Sequence, residues 1–356
     1  AGQRGIRHEN HGPGQVQHPQ PQHIAGKQRN RHQCRSGIAY QFGHSFIIPV
    51  GSVPPQQPAA GSARRGRFDT IKGMKRLFPI LLAIAGPAFF CSPARPAEDS
   101  CSRCIVVYGD TRTNHDVHKK ITELITARKP EAVFHVGDMV SDGREAKDWA
   151  KFAEITADLR GKTRFYPVRG NHEQLAPGYF TFFGLEDWTP WYSADLRGIH
   201  FIVLDSETPF WKGTAQYKWL LKDLKAAAAS PENKYIVALL HRPVYSTSEH
   251  GTNDLPVVAE ALVPLFEQYA VDAVFSGHDH DYERSYKDGI YYVVTGSGGA
   301  PLYEQKSTST VSQVFAKKYH YLALSVEPGG LKAEVFDDSD ALIDSFEMKA
   351  NARKIK

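Results

Sequence analysis

The fold is decided by a segment whose pattern recurs along the chain: residues 132–138 read AVFHVGD, an apolar run that ends in glycine and aspartate. Four more apolar runs end in a similar way, either in glycine followed by Asp, Asn or His, or directly in His. Short apolar runs closed by turn residues are typical of buried strands. We therefore predict strands at Ile105–Tyr108, Ala132–Val136, Phe165–Val168, Tyr235–Leu240 and Ala273–Phe275.

Potential metal ligands come directly after all five predicted strands. In open α/β sheets, ligands bind outside the carboxyl ends of the strands. Carboxylate, carboxamide and imidazole together suit Zn, Fe or Mn better than Ca, and a neighbouring glycine lets the backbone turn sharply. The sequence therefore predicts a metal site built from Gly109-Asp110, Gly137-Asp138, Gly170-Asn171-His172-Glu173, His241 and Gly277-His278-Asp279-His280.

Helical patterns alternate with these strands, and later strands follow one another without long helices. The amphipathic stretches are 117–128, 144–160, 215–229 and 255–269, and the later strands are 290–295, 321–327, 331–336 and 341–347. We expect the later strands to be antiparallel neighbours in a second sheet. The predicted fold class is α/β, a two-sheet β-sandwich flanked by helices in one domain, 105–350.

The ordered set of motifs resembles the calcineurin-like metallophosphoesterases, and it is most similar to their purple acid phosphatase branch. The resemblance extends from Ile105 to the C-terminus and includes His241-Arg242-Pro243 and Tyr282-Glu283-Arg284. It implies a four-layer α/β/β/α fold and a hydrolase that uses two divalent or mixed-valence ions of Fe, Zn or Mn. Such ions lie about 3.5 Å apart, and a metal-bound hydroxide attacks phosphorus in line.

The resemblance also implies a role for individual motif residues. His172 would stabilise or protonate the leaving group. Glu173 has no role from the resemblance, and we expect this carboxylate to orient its neighbours rather than to act as a base. The implied metal ligands are Asp110 and His280 for the first ion, Asp138 as the bridge, and Asn171, His241 and His278 for the second ion.

Two residues depart from the family pattern. Purple acid phosphatases carry Tyr three residues after the bridging Asp, where this chain has Ser141, and many other branches carry His where this chain has Arg112. The first ion then lacks one protein ligand unless water, Asp142 or His115 supplies it. Our hypothesis is that Arg112 holds a substrate phosphate, because its guanidinium suits that geometry.

Three functions are open, and these departures keep the third of them open. The first is a phosphomonoesterase acting on a small phosphate ester. The second is a phosphodiesterase for cyclic nucleotides or other diesters, and the third is a catalytically weak phosphate-binding protein. From Glu98 onward, thirty basic residues face thirty-seven acidic ones, so we expect no nucleic-acid partner.

The N-terminal region predicts export. Residues 74–97 carry a basic start, a short apolar run and small residues, which is typical of a signal peptide. Residues 1–73 are polar and basic, and we interpret them as an over-extended or disordered segment. A periplasmic or secreted location follows. Cys101 and Cys104 would then form a local staple or stay free thiols, with redox catalysis a distant alternative.

Three minor expectations concern neighbouring residues, and the first is that Gly296-Ser297-Gly298-Gly299 forms a tight loop near the rim of the site. His115 and His118 lie at a predicted helix, where solvent-exposed positions are common. Asp279 and Asp281 are expected to face outward or to brace neighbouring loops.

Overall fold

Residues 104–185, 188–251 and 255–352 are described by a computed structural model of the 356-residue chain. The predicted signal peptide, the segment before it and Cys101 lie outside the described residues. The strands are β1 (Ile105–Tyr108), β2 (Ala132–His135), β3 (Arg164–Pro167), β4 (Tyr192–Leu196), β5 (Ile199–Val203), β6 (Tyr235–Leu239), β7 (Ala273–Ser276), β8 (Tyr282–Lys287), β9 (Ile290–Thr295), β10 (Ser312–Ala316), β11 (His320–Val326), β12 (Leu331–Asp337) and β13 (Leu342–Met348).

Six helices connect these strands in the described part of the chain. Most lie where the sequence shows amphipathic periodicity, whereas the fourth was not predicted. The helices are α1 (His115–Ala127), α2 (Ala146–Ile155), α3 (Ala157–Lys162), α4 (Pro177–Phe183), α5 (Ala215–Ala229) and α6 (Leu255–Gln268). Within the described residues, none of these helices is long and apolar enough to cross a membrane.

The strands form two mixed sheets. The first has the order β13-β12-β11-β1-β2-β3, in which β1, β2 and β3 run parallel. The second has the order β10-β8-β9-β7-β6-β5-β4, in which β5, β6, β7 and β9 run parallel. Three of the five motif-bearing strands therefore lie in the first sheet and two in the second.

The expected placement of the later strands is wrong for three of them. Strands β11, β12 and β13 extend the first sheet, with β11 antiparallel to β1, whereas β9 lies in the second sheet beside β7. Along β12, every second residue is buried and the residues between them are partly buried. That alternation does not specify which sheet edge receives the strand.

The two sheets pack face to face between two helical layers. Alternate residues of each strand point to opposite faces, so Val107 joins the core between the sheets and Val106 the core beneath the helices. Across the central core, Phe134 of β2 stacks on Phe201 of β5 with ring centroids 4.5 Å apart. Helices α1 and α2 cover the first sheet, and α5 and α6 cover the second. The predicted four-layer α/β/β/α sandwich is confirmed.

Two local expectations on the first sheet's helical side differ from the structure. The stretch 144–160 forms two helices, which meet at Thr156, whose hydroxyl donates to the Phe152 carbonyl. His118 is fully buried rather than exposed, because it shares the inward face of α1 with Ile121 and Ile125. His115 is exposed, as expected.

Candidate metal centre

The motif residues meet where the carboxyl ends of the parallel strands in both sheets come together. Asp110, Asp138 and His278 each follow a glycine and have positive backbone φ angles of 55°, 55° and 70°. Positive φ is uncommon for residues with a side chain and concentrates at functional sites. At Gly277 a Cβ would lie 2.2 Å from Asp110 Oδ2, so only glycine lets this loop approach the carboxylate.

Glu173 joins the loops that follow β2 and β3. Its buried carboxylate accepts hydrogen bonds from the backbone N–H groups of Asp138 (2.9 Å), Met139 (2.7 Å), Val140 (3.2 Å) and Gly170 (2.7 Å). The carboxylate therefore sets the spacing between the loop of Asp138 and the loop of Asn171. The orienting role predicted for Glu173 fits these contacts.

Asp110, Asp138 and His280 form a group that we call the first position. Each is buried, and one donor atom from each lies within 4.8 Å of the others. The Nδ1–H of His280 donates to the Pro301 carbonyl at 2.8 Å, and this turns the other ring nitrogen, Nε2, to within 3.6 Å of Asp110 Oδ1. A histidine held in this way presents an unprotonated nitrogen to a metal.

Asp138, Asn171, His241 and His278 form the second position. His241 Nε2 lies 3.0 Å from Asn171 Oδ1, 3.2 Å from His278 Nδ1 and 3.3 Å from Asp138 Oδ1. His241 Nδ1–H donates to the Val136 carbonyl at 2.9 Å, so Nε2 is the nitrogen turned toward the other donors. Asp138 belongs to both positions.

Besides the bond from His241 to Val136, a second hydrogen-bonding contact ties the two sheets together at the site. The backbone N–H of His278, from the second sheet, lies 3.1 Å from both carboxylate oxygens of Asp110, from the first sheet. The Gly296–Gly299 loop, predicted to lie near the rim, packs beside this contact. Its Gly298 N–H donates to the Gly109 carbonyl at 2.7 Å.

The electrostatics favour a bound cation. Burial and the neighbouring Asp138 raise the pKa of Asp110 well above its usual range. Burial would also raise the pKa of Asp138, but His241, His172 and Arg112 outweigh it and lower that pKa. Burial lowers the pKa of His280 to about 4, so its ring is neutral near pH 7. Two buried carboxylates beside the neutral ring of His280 need positive charge to offset desolvation, and this donor set fits Zn, Fe or Mn.

His172 and Arg112, the predicted catalytic residues, both border Asp138. His172 donates through Nδ1–H to the Ser141 carbonyl at 2.7 Å, and its Nε2 lies 3.8 Å from Asp138 Oδ2 in a side chain that is 32% exposed. Arg112 Nε lies 3.3 Å from Asp138 Oδ2. Neither Asp142 nor His115 belongs to the first position among the described residues; Asp142 pairs instead with Arg144.

Sequence reasoning missed His250. Its ring lies over His278, with centroids 4.1 Å apart, and its Nδ1–H donates to Asp279 at 2.9 Å. Asp279 is fully buried, and it also accepts from the Ser246 hydroxyl, which is the bracing role expected of it. Asp281 is buried as well. The available signal was weak, since His250 is simply a histidine in the segment that follows β6 and His241.

Arg242 was part of a motif but without a predicted role, and Tyr303 was not predicted at the site. Arg242 forms a two-contact ion pair with Glu207 (2.7 and 3.0 Å), and its Nη1 lies 3.2 Å from His278 Nε2. Tyr303 stacks on His280 with ring centroids 4.1 Å apart. Arg242 therefore contacts His278, and Tyr303 contacts His280.

Comparison with known proteins places this geometry in a family. A sequence model of the calcineurin-like phosphoesterases matches residues 105–282. A probable inactive purple acid phosphatase 1 of Arabidopsis thaliana is 27% identical over 274 residues, which span 64% of this chain and 44% of that protein. A nucleotide pyrophosphatase/phosphodiesterase of Hordeum vulgare is 26% identical over 274 residues, spanning 61% of this chain and 74% of that protein.

A solved structure shares the fold. The purple acid phosphatase PPD1 of yellow lupin, Lupinus luteus, superposes with a TM-score of 0.60 at 22% identity, over 68% of this chain and 53% of that one. The chain spans less than half the length of the Arabidopsis relative. The lupin structure therefore shows a shared fold, and the family follows from the sequence model that matches residues 105–282.

Proposed function

The chain belongs to the calcineurin-like phosphoesterase family, and from that premise we propose that it is a binuclear, metal-dependent phosphomonoesterase. Asp110, Asp138 and His280 would hold one ion, and Asn171, His241 and His278 would hold a second, with Asp138 shared. Bound divalent ions would supply Lewis-acid activation of a phosphate ester and of the attacking water.

The geometry of Asp138 carries this proposal. Its Oδ1 lies 3.3 Å from His241 Nε2, a donor of the second position. Its Oδ2 faces Arg112 at 3.3 Å, on the side of the first position. A carboxylate with one oxygen toward the second position and the other toward the first is arranged to bridge a pair of ions. Its low pKa keeps it ionised for that purpose.

Two histidines are placed to serve the substrate rather than the ions. The Nδ1–H of His172 is held by the Ser141 carbonyl, so its Nε2 points toward the site from a partly exposed side chain. A protonated Nε2 there would donate its proton to the leaving alkoxide. The His250 ring, oriented by Asp279, lies over His278 and would contact a phosphate oxygen.

Two other functions of the same site follow from the relatives' names. Likeness to a nucleotide pyrophosphatase/phosphodiesterase favours diesters as a second substrate class. Likeness to a probable inactive purple acid phosphatase favours a phosphate-binding protein with weak catalysis. Both alternatives leave the donor groups unchanged, and they differ from the main proposal in what the site turns over.

The proposed location is outside the cytoplasm, either periplasmic or secreted. Cys104 is disulfide-bonded, and disulfides persist mainly in oxidising compartments. The sequence pattern of residues 74–97 supports the same location.

Hydrolysis assays on the full chain test the proposal. The protein is stripped of metal, resupplied with Mn²⁺, Zn²⁺ or Fe, and offered p-nitrophenyl phosphate and bis-p-nitrophenyl phosphate in parallel. Asp138→Asn should abolish turnover, because it removes the shared carboxylate. Asp158→Asn, at an exposed residue of α3, is the matched control and should leave turnover unchanged.

The pattern of turnover distinguishes the three functions. Metal-dependent hydrolysis with preference for the monoester is the expected result. Preference for the diester would replace phosphomonoesterase by phosphodiesterase. If no metal produced turnover of either ester while inorganic phosphate still bound, the protein would be a phosphate-binding member of the family.

A further inference from the structure

The Arg112 guanidinium lies against the donors of the first position. Its Nε is 3.3 Å from Asp138 Oδ2, and its Nη2 is 3.4 Å from His280 Nε2. The arginine side chain is only 14% exposed. Arg112 therefore contacts two of the three residues that would hold the first ion.

The contact with His280 uses the electron pair that an ion would need. Because His280 Nδ1–H donates to the Pro301 carbonyl, its Nε2 is the acceptor toward Arg112. An arginine stays protonated in proteins and cannot itself bind a metal ion. Its charge repels an arriving cation, and its N–H groups occupy the lone pairs of the donors.

Ser141 holds the arginine in this place. Its hydroxyl donates to the backbone carbonyl of Arg112 at 2.8 Å, and its own carbonyl accepts from His172. The two residues that depart from the family pattern thus contact each other. Together they supply a fixed positive charge and no metal ligand.

The second position differs in this respect. The other arginine at the site, Arg242, is paired with Glu207 through two contacts, so its charge is offset. It meets His278 at Nε2, whereas His278 Nδ1 is the atom that lies 3.2 Å from His241 Nε2.

We propose that Arg112 acts as a built-in cation of the first position, so that the two positions load unequally and in order. The second position takes an ion first, and the first position takes one only when the guanidinium leaves Asp138 and His280. This inference rests on the proposed binuclear function. Within it, Arg112 is a positioning residue that controls ion occupancy.

Titration of the metal-stripped full chain with Mn²⁺ tests the order of loading. Calorimetry should show one ion per chain binding at least tenfold more tightly than a second. Electron paramagnetic resonance at one equivalent should show isolated Mn²⁺ rather than an exchange-coupled pair. Arg112→Ala should tighten the weaker ion at least tenfold and leave the tighter one unchanged, and Arg112→His should do the same while adding a ligand.

Arg144→Ala is the matched control, since Arg144 is an exposed arginine that pairs with Asp142 nearby; both affinities should stay as in the wild type. Two ions of equal affinity in the wild type would overturn the inference, as would a weaker ion unaffected by Arg112→Ala. If turnover then still depended on metal, the proposed function would stand. If the wild type bound no Mn²⁺ at all, both the loading order and the proposed binuclear function would be wrong.

Discussion

Replacing Glu173 by Gln should destabilise the site more than almost any other change of similar size. The buried carboxylate accepts four backbone N–H groups, two at each oxygen. A glutamine of the same shape keeps one oxygen and turns an NH₂ group toward the other two donors. Those two N–H groups then lose their acceptor inside the protein.

The magnitude follows from these two unpaired donors. A buried donor without a partner costs about 1–3 kcal/mol, so the free energy of unfolding should fall by about 2–6 kcal/mol. Taking about 4 kcal/mol as the central value, the midpoint of thermal unfolding should drop by about 8–16 °C for a domain of this size. Burial and the charge of Asp138 raise the pKa of Glu173 to about 8, so unfolding of the wild type and the variant should be compared above that pH, where the ionised carboxylate accepts all four N–H groups.

Thermal and urea unfolding, followed by circular dichroism, measure the effect. The matched control is Glu154→Gln, at a surface residue of α2 that pairs with Lys151, and it should leave the midpoint unchanged. Mn²⁺ affinity should fall along with stability, since the affected loops carry Asp138 and Asn171. A Glu173→Gln protein within about 0.5 kcal/mol of the wild type, the range of ordinary surface substitutions, would refute the reasoning.

Three more outcomes are expected. Gly277→Ala should weaken Mn²⁺ binding, because its Cβ would lie 2.2 Å from a first-position carboxylate oxygen, whereas Gly161→Ala, with open space around it, should not; equal effects in calorimetry would contradict this. Asp205→Ala should lower the free energy of unfolding, measured in urea, by about 3–5 kcal/mol, because it leaves the buried Arg169 without its carboxylate partner. A loss below about 1 kcal/mol would count against this prediction. Burial lowers the pKa of His320 to about 4. The unfolded chain therefore takes up that proton at a higher pH than the folded one, and stability should fall between about pH 6.5 and pH 4. His320→Gln should reduce this fall by up to about 3 kcal/mol, and an unchanged pH profile would reject the assignment.

The sequence predicted the local elements well where the pattern was strong. Strands β1 and β9 and helix α5 have the predicted bounds, and the other four motif-bearing strands differ from prediction by one residue at one or both ends. Short apolar runs and helical periodicity depend only on neighbouring residues, so they can be recognised without knowledge of the fold. Glycine before Asp110, Asp138 and His278 was an equally local signal, and all three residues have the positive φ that such turns require.

Long-range placement was less predictable. The apolar pattern of β11 to β13 predicted strands but not their sheet, because an edge accepts any strand of suitable alternation. His118 was misjudged because its burial depends on how α1 is turned against the first sheet. His250 carries no distinguishing pattern, and only the approach of its loop to His278 makes it part of the site.

The sequence by itself determined the strands, the glycine turns and the residue types at the strand ends, because each depends on neighbouring residues along the chain. Only the tertiary structure decided that Arg112 contacts Asp138 and His280, and that Ser141 holds it there. Arg112 and His280 are 168 positions apart. Their meeting depends on the packing of two sheets, which no local pattern encodes.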